Sequence, residues 1–284
     1  MIKEKIKVAF TSVLAAIVIT AGKLIVGILT GSLGILSEAL HSGLDLIAAI
    51  ITLFSVKISD KPADRNHHFG HGKIENLSAF IEALLLLATC AWIIYESINR
   101  LLSGNFIIEV TIWSYIVVIA SIIIDFWRSR ALMKTAKKYN SQALEADALH
   151  FSTDILSSSV VLLGLIFANY GIHWADSVAA LGVALIVIKV SYNLSKRAVL
   201  VLLDSAPQDI YDVVNHTLDN MTEIKKVNLV RIRNSGADYF IDITAEVDKD
   251  LPFVNTHKIS DKIEDAIKSK VDRSDVTVHL EPHL

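Results

Sequence analysis

Two segments carry a histidine and an aspartate four residues apart within otherwise apolar stretches: His41 and Asp45 in SEALHSGLD, His150 and Asp154 in DALHFSTDI. On an α-helix an i,i+4 pair projects from one face, one side chain above the other. Two such faces turned together present two imidazoles and two carboxylates, a tetrahedral set suited to zinc. A lone histidine in such a place is readily explained as a polar packing residue bonded across a helix bundle. Two HxxxD pairs are not, because two buried carboxylates repel unless a proton or a cation lies between them. Ionisable groups inside an apolar span are costly and point to a site. The pattern therefore calls for a divalent metal held within a membrane. Metal needs neutral imidazole and ionised carboxylate, so it competes with protons. A site opening alternately to each side would exchange one for the other.

The elements that position these pairs follow from composition. The chain has 284 residues, 52% of them hydrophobic, and a mean hydropathy of +0.49. An apolar run of about 20 residues spans the hydrocarbon core, and six are read at 8–30, 33–57, 77–101, 109–131, 144–170 and 175–198. The charged MIKEKIK head resembles the start of a secretory signal, but the run behind it is too long and lacks a small-residue cleavage site. Lys3, Lys5 and Lys7 precede the first span, and Lys57, Lys61, Arg65 and Lys73 lie around the loop after the second. Arg128, Arg130, Lys134, Lys137 and Lys138 follow the fourth, and Lys196 and Arg197 end the sixth. The opposite connections, near 30–33, 100–109 and 170–176, offer only Arg100. The positive-inside rule then puts both termini in the cytoplasm.

Composition shifts after Asp204: residues 1–204 hold 17 basic and 15 acidic side chains, residues 205–284 hold 10 and 15. This divides the chain into a six-helix membrane domain, 1–204, and a cytoplasmic domain, 205–284. In the tail, a helical pattern at 208–220 precedes alternating strands at 225–233 and 239–247, with Asn234-Ser235-Gly236 as the turn. A helix at 254–270 and a strand at 275–281 complete an αββαβ order, which indicates an α+β domain of ferredoxin-like type. So small a domain buries a modest core, which favours pairing with a second copy.

Two further clusters have ligand chemistry. The loop after the second span reads DKPADRNHHFGHG, with Asp64, His67 and His71 among its imidazoles and carboxylates. The chain ends on His279-Leu-Glu281-Pro-His283, where strand alternation puts His279, Glu281 and His283 on one side; His257 sits in the helix before it. Pro282 is placed to end that strand. Cys90 is the only cysteine, which excludes an intrachain disulfide and leaves it as a packing residue. Lys23 and Lys189 are read as snorkelling or paired, and Asp125 as a partner of Arg128; Glu82, in the third span, has no evident role.

Six spans, HxxxD in the second and fifth, PADRNHHFGHGKIEN after the second and an αββαβ tail together resemble the cation diffusion facilitator family over essentially the whole chain. The resemblance implies a homodimeric exporter of zinc or related divalent cations, driven by protons, with no organic cofactor. It assigns the transport site to His41, Asp45, His150 and Asp154, and a loop site to Asp64, His67 and His71. It assigns a tail site to His257, His279 and Glu281, beside His283, with Asn228 and Thr244 at two positions that are histidine in some two-metal members. It also implies that Lys73 and Asp204 form a charge interlock near the dimer interface. Partners are then metal cations, protons, lipid and a second copy, with no nucleic acid. The absence of a targeting extension favours a prokaryotic plasma membrane.

Three other readings stand beside this one. An intramembrane metalloprotease needs an HExxH helix with a glutamate base, which the sequence lacks. A channel needs weak, multiple sites rather than one tight tetrahedral set. A metal sensor would bind at the tail without flux. The same antiport fold could also serve Cd²⁺, Fe²⁺ or Mn²⁺. Imidazole at position 41 suits zinc, whereas aspartate there, in the resembling family, accompanies broader acceptance. His41→Asp is therefore expected to raise cadmium flux relative to zinc flux; an unchanged ratio in paired transport assays would refute the assignment.

Overall fold

The structure, a computed structural model, describes residues 2–31, 33–103, 112–169 and 174–284. Six long helices come first: α1 (Ile2–Thr30), α2 (Leu33–Ser59), α3 (Lys73–Ser103), α4 (Ile112–Tyr139), α5 (Gln142–Asn169) and α6 (Ala175–Leu202). The start of the expected fourth span, 109–111, and most of the expected 100–109 and 170–176 connections lie outside the described residues. Among the described residues, four stretches are long and apolar enough to cross a membrane, Lys3–Leu29, Glu38–Ser59, Lys73–Ser103 and Ser177–Leu202. The other two helices, α4 and α5, are as long but carry more charge: five basic residues from Arg128 onward in α4, and Glu145, Asp147 and Asp154 in α5.

The chain divides into two compact units. One is Met1–Asp60 with Ile74–Ala198; the other is Lys61–Lys73 with Val199–Leu284. In the helical unit, α1 packs on α2 and α4 on α5. Small side chains allow the close approach: Ala48, Ala49, Ala143, Ala146 and Ala148 are at most 1% exposed. Asn140, at φ +50°, turns the chain between α4 and α5, and the Ser141 hydroxyl then accepts the Leu144 N–H at 3.4 Å. That cap fixes the entry of α5, and with it the face on which His150 and Asp154 stand.

The second unit holds α7 (Gln208–Asp219), β1 (Lys226–Ser235), β2 (Asp238–Asp248), α8 (Phe253–Lys268) and β3 (Ser274–His283). The sheet order is β1-β2-β3, β1 antiparallel and β3 parallel to β2. The split β-α-β of a ferredoxin-like sheet leaves room for a further strand between its parallel pair; here β2 and β3 are direct neighbours. The hairpin turn falls on Gly236-Ala237 rather than on Asn234-Ser235-Gly236, because β1 runs on to pair Ser235 with Asp238. Gly236, at φ +63°, supplies the conformation such a two-residue turn needs at its first position. Pro282 does not end β3; it pairs in register with Val247, which the edge position of β3 permits. Along β2, Ile241, Ile243 and Ala245 are buried against Val214, Leu218, Ile263 and Ile267, with Val247 buried on the same face, while Asp242, Thr244 and Glu246 face the other way.

The 61–73 loop belongs to this second unit. Phe69 stacks edge-on against Phe240 with centroids 5.0 Å apart, and the Arg233 guanidinium lies 3.7 Å above the Phe69 ring. Gly72 passes so close to the hairpin that a Cβ there would stand 2.2 Å from the Ser235 carbonyl oxygen. Gly72→Ala is therefore expected to cost about 1–3 kcal/mol of stability, as overpacking does. Gly43→Ala, which meets nothing within 4 Å, is expected to be neutral or stabilising. Thermal unfolding of the two variants checks the contrast.

Candidate metal centre

The two HxxxD faces meet. His150 Nε2 lies 3.1 Å from Asp45 Oδ1 and 3.6 Å from Asp154 Oδ2, joining α5 to α2. His41 Nε2 lies 3.9 Å from both Asp45 Oδ1 and Asp154 Oδ1. His41, Asp45 and Asp154 offer ligand atoms all within 4.8 Å of one another. His150 is buried among its neighbours, with Phe151 edge-on at 5.6 Å, whereas the His41 side chain is 36% exposed. All four line one cavity of about 280 Å³ in the helical unit, which Lys23 and Glu38 also border. Lys23 Nζ donates to Glu38 Oε2 at 3.1 Å and to Ser42 Oγ at 2.9 Å, so this lysine is paired rather than snorkelling. Asp125 meets Arg128 at 3.0 Å, as the spacing indicated.

The loop cluster also assembles. Asp64, His67 and His71 place ligand atoms within the same 4.8 Å limit. Asp64 Oδ1 accepts the backbone N–H groups of Asn66 and His67 at 2.9 and 2.7 Å, and its two oxygens lie 3.2 Å from His67 Nδ1 and 3.4 Å from His71 Nε2. These N–H donors hold the Asp64 carboxyl below its ordinary range. The Asx-type turn thus points a charged oxygen at both imidazoles.

The tail residues gather differently from the set the sequence suggested. His279 Nε2 lies 3.7 Å from Glu281 Oε1, but His257 stands on α8 beside Asp261, at 3.8 Å. Glu246, which sequence reasoning missed, is the hub: Asn228 donates to Glu246 Oε1 at 2.9 Å and to Glu281 Oε2 at 3.0 Å, and His283 Nδ1 lies 2.6 Å from Glu246 Oε2. His283 and Asn228 hold the Glu246 carboxyl below its usual range. Strand register makes the group, since Glu246 pairs with Glu281. Among the described residues, no tail residue joins a three-ligand group as tight as the other two. Lys73 Nζ and Asp204 Oδ1 are 2.7 Å apart, both within the second unit.

Residues 9–203 match the cation efflux transmembrane domain, and residues 206–283 match the cytoplasmic domain of cation efflux proteins. The magnetosome protein MamB of Magnetospira sp. is 33% identical over 266 residues, 93% of this chain and 90% of the relative. The cation-efflux pump FieF of Shigella boydii is 31% identical over 262 residues, 89% and 84% respectively. A solved metal-bound C-terminal domain of the CzcD transporter from Thermotoga maritima is 33% identical over 26% of this chain and 88% of that domain, with a TM-score of 0.26.

The Asp64 geometry sets a pH dependence. Its folded value is depressed, so the stabilisation it gives the loop is complete above the unfolded aspartate value of about 3.9. That stabilisation is lost only as pH falls through the lower folded value. A carboxyl-detected NMR titration is expected to place the Asp64 midpoint below the ordinary one; a midpoint at or above it would contradict the N–H contacts.

Proposed function

We propose, from the premise that this chain belongs to the cation efflux family, that it exports zinc in exchange for protons through His41, Asp45, His150 and Asp154. The family moves divalent cations and performs no catalysis, and the chain is a multi-pass membrane protein. The observation that supports the reading best is the quartet: two imidazoles and two carboxylates converging from α2 and α5 on one intramembrane cavity. Four ligands of this kind suit Zn²⁺ and serve oxygen-seeking Mg²⁺ or Ca²⁺ poorly. Relatives named as cation-efflux pumps agree with an outward direction.

In this reading all six long helices cross the membrane, including α4 and α5, whose charges face the bundle or the water-exposed end. Positive-inside asymmetry orients both termini to the cytoplasm of a prokaryotic cell. The functional division falls between 204 and 205, with Asp64, His67 and His71 forming an accessory metal site beside the tail domain. The tail pairs two copies and responds to metal through His279, Glu281 and His283, with Glu246 added and His257 more remote; Lys73 and Asp204 lock the geometry near that interface. Zinc is cargo and regulator, and no other cofactor is needed. Metal loading displaces protons because the imidazoles must be neutral to bind; protons entering from the far side restore the empty site. Cd²⁺, Fe²⁺ or Mn²⁺ as cargo, and sensing without transport, remain the readings that the same experiment separates.

Zinc flux into proteoliposomes across an imposed pH gradient is expected to follow the gradient in the wild type. Asp45→Ala and Asp154→Ala are each expected to lower it by a hundredfold or so, since either leaves too few ligands for the ion. Flux of manganese, iron or cadmium in place of zinc would reassign the cargo. No flux of any of them from a folded protein would leave sensing.

A further inference from the structure

Two carboxyls deep in the helical unit have no part in the quartet. Glu82 on α3 and Asp147 on α5 are both 0% exposed, and neither forms an ion pair within 4.0 Å among the described residues. Each has one oxygen satisfied and one not. Glu82 Oε1 accepts the Thr52 hydroxyl of α2, and Asp147 Oδ2 accepts the Ser12 hydroxyl of α1 at 3.3 Å. Glu82 Oε2 and Asp147 Oδ1 are buried without a hydrogen-bond partner. A fully buried, unpaired carboxylate is among the most costly groups in a protein, so the inexpensive state is the protonated one.

Their places on the helices form a sequence. Asp147 precedes His150 by three residues, hence lies on the same stripe of α5, about one turn from the quartet. Thr52, the partner of Glu82, follows Asp45 by seven residues on α2, roughly 10 Å further along the helix axis. Glu82 in turn follows Glu75 by seven on α3, and Ser78 between them is buried too. Glu75 belongs to a polar knot at one end of the bundle: Lys5 Nζ reaches Glu75 at 2.7 Å and Asp60 at 3.0 Å, while Ser59 and Ser141 also donate to Glu75. Beyond Glu82, the buried face of α3 becomes apolar, through Ala83, Leu86 and Cys90. The polar stripe thus stops at Glu82, level with Thr52 and roughly two turns short of Asp45.

We propose that Glu82 and Asp147 form a second site that holds a proton and passes it between the quartet and the Lys5–Asp60–Glu75 end of the bundle. The ligand is the proton itself: once a carboxyl of the pair has passed its proton on toward Lys5–Asp60–Glu75, an N–H bond of a quartet imidazolium breaks, metal takes the lone pair left on nitrogen, an O–H bond forms at the vacated carboxylate, and no electrons move. The charged and titratable groups that act on the pair are Arg128 of α4 and His150 and Asp154 of α5, besides the two carboxyls on each other; α1, α2 and α3 offer the Ser12, Thr52 and Ser78 hydroxyls. Arg128 is engaged by Asp125 and Ser12, so it does not neutralise either carboxyl directly.

The inference rests on the exchange of metal for protons, and its test separates the two. In proteoliposomes, isotopic zinc-for-zinc exchange at equal pH reads the quartet alone, whereas net flux driven by a pH gradient also needs the proton route. Glu82→Gln, close to isosteric, is expected to keep isotope exchange within about twofold and to lose on the order of a hundredfold of gradient-driven flux. Asp147→Asn is expected to act in the same direction and decides the matter if the first variant fails to fold; Glu82→Asp should recover much of the loss. Gradient-driven flux at the wild-type rate in the Glu82→Gln and Asp147→Asn variants overturns the proposal. So does a parallel fall of both fluxes, which marks a packing role. Wild-type zinc exchange with no response to the gradient overturns the antiport reading instead, and this inference with it.

Discussion

The constraint on which the helical unit depends is the cost of carboxylates without water. Asp45, Glu82, Asp125, Asp147 and Asp154 all stand inside the bundle, against Lys23 and Arg128 as the permanent cations near them. That inventory cannot be neutral unless protons or metal ions complete it. Where the structure spends a fixed cation, it does so on partners other than the quartet: Arg128 on Asp125, Lys23 on Glu38 and Ser42. The quartet and the Glu82–Asp147 pair are left to mobile positive charge. Mobility of charge is what a carrier requires, and a permanent ion pair at either place would abolish it.

Packing supplies the second half of the argument. Side chains as small as Ala48, Ala49 and Ala148 let α2 and α5 approach until His150 touches Asp45 across them. The two imidazoles are not equivalent. His150 is sealed, with Arg128 stacked 3.5 Å over the neighbouring Phe151 ring, while His41 is partly open to the cavity. The quartet thus has one buried imidazole on α5 and one on α2 that the cavity reaches.

Most of this was legible in the sequence, for a physical reason. Helical spacing is rigid, so HxxxD fixes which side chains share a face before any tertiary contact is known, and His41, Asp45, His150 and Asp154 converge accordingly. Asp64, His67 and His71 are close in sequence and joined by one turn, so they too could be read. The tail could not be read as well, because its geometry depends on register. Glu246 reaches Glu281, Asn228 and His283 only because β2 pairs with β3 at that offset and β1 bulges between Val227 and Leu229. His257 was grouped with the strand residues by resemblance, and α8 turns it to Asp261 instead. Glu82 was visible but mute, since its meaning lies in Thr52, Asp147 and Glu75, partners on other helices or two turns away.

The loop between α2 and α3 has the least expected position, and its consequence is mechanical. Although it is covalently continuous with two helices of the membrane unit, its residues Lys61–Lys73 fold with the tail. Phe69 is held between Arg233 and Phe240, and Gly72 lies against the hairpin backbone so closely that no side chain fits. The Asp64–His67–His71 cluster sits within the same short segment, so any ion it holds stiffens a strap whose other contacts are to β1 and β2. That strap begins one residue after Asp60 and ends at Lys73, the first residue of α3. The chain that leaves α2 after Asp60 is therefore held to the hairpin of the second unit before α3 begins, by Phe69, Gly72 and the Asp64 turn together.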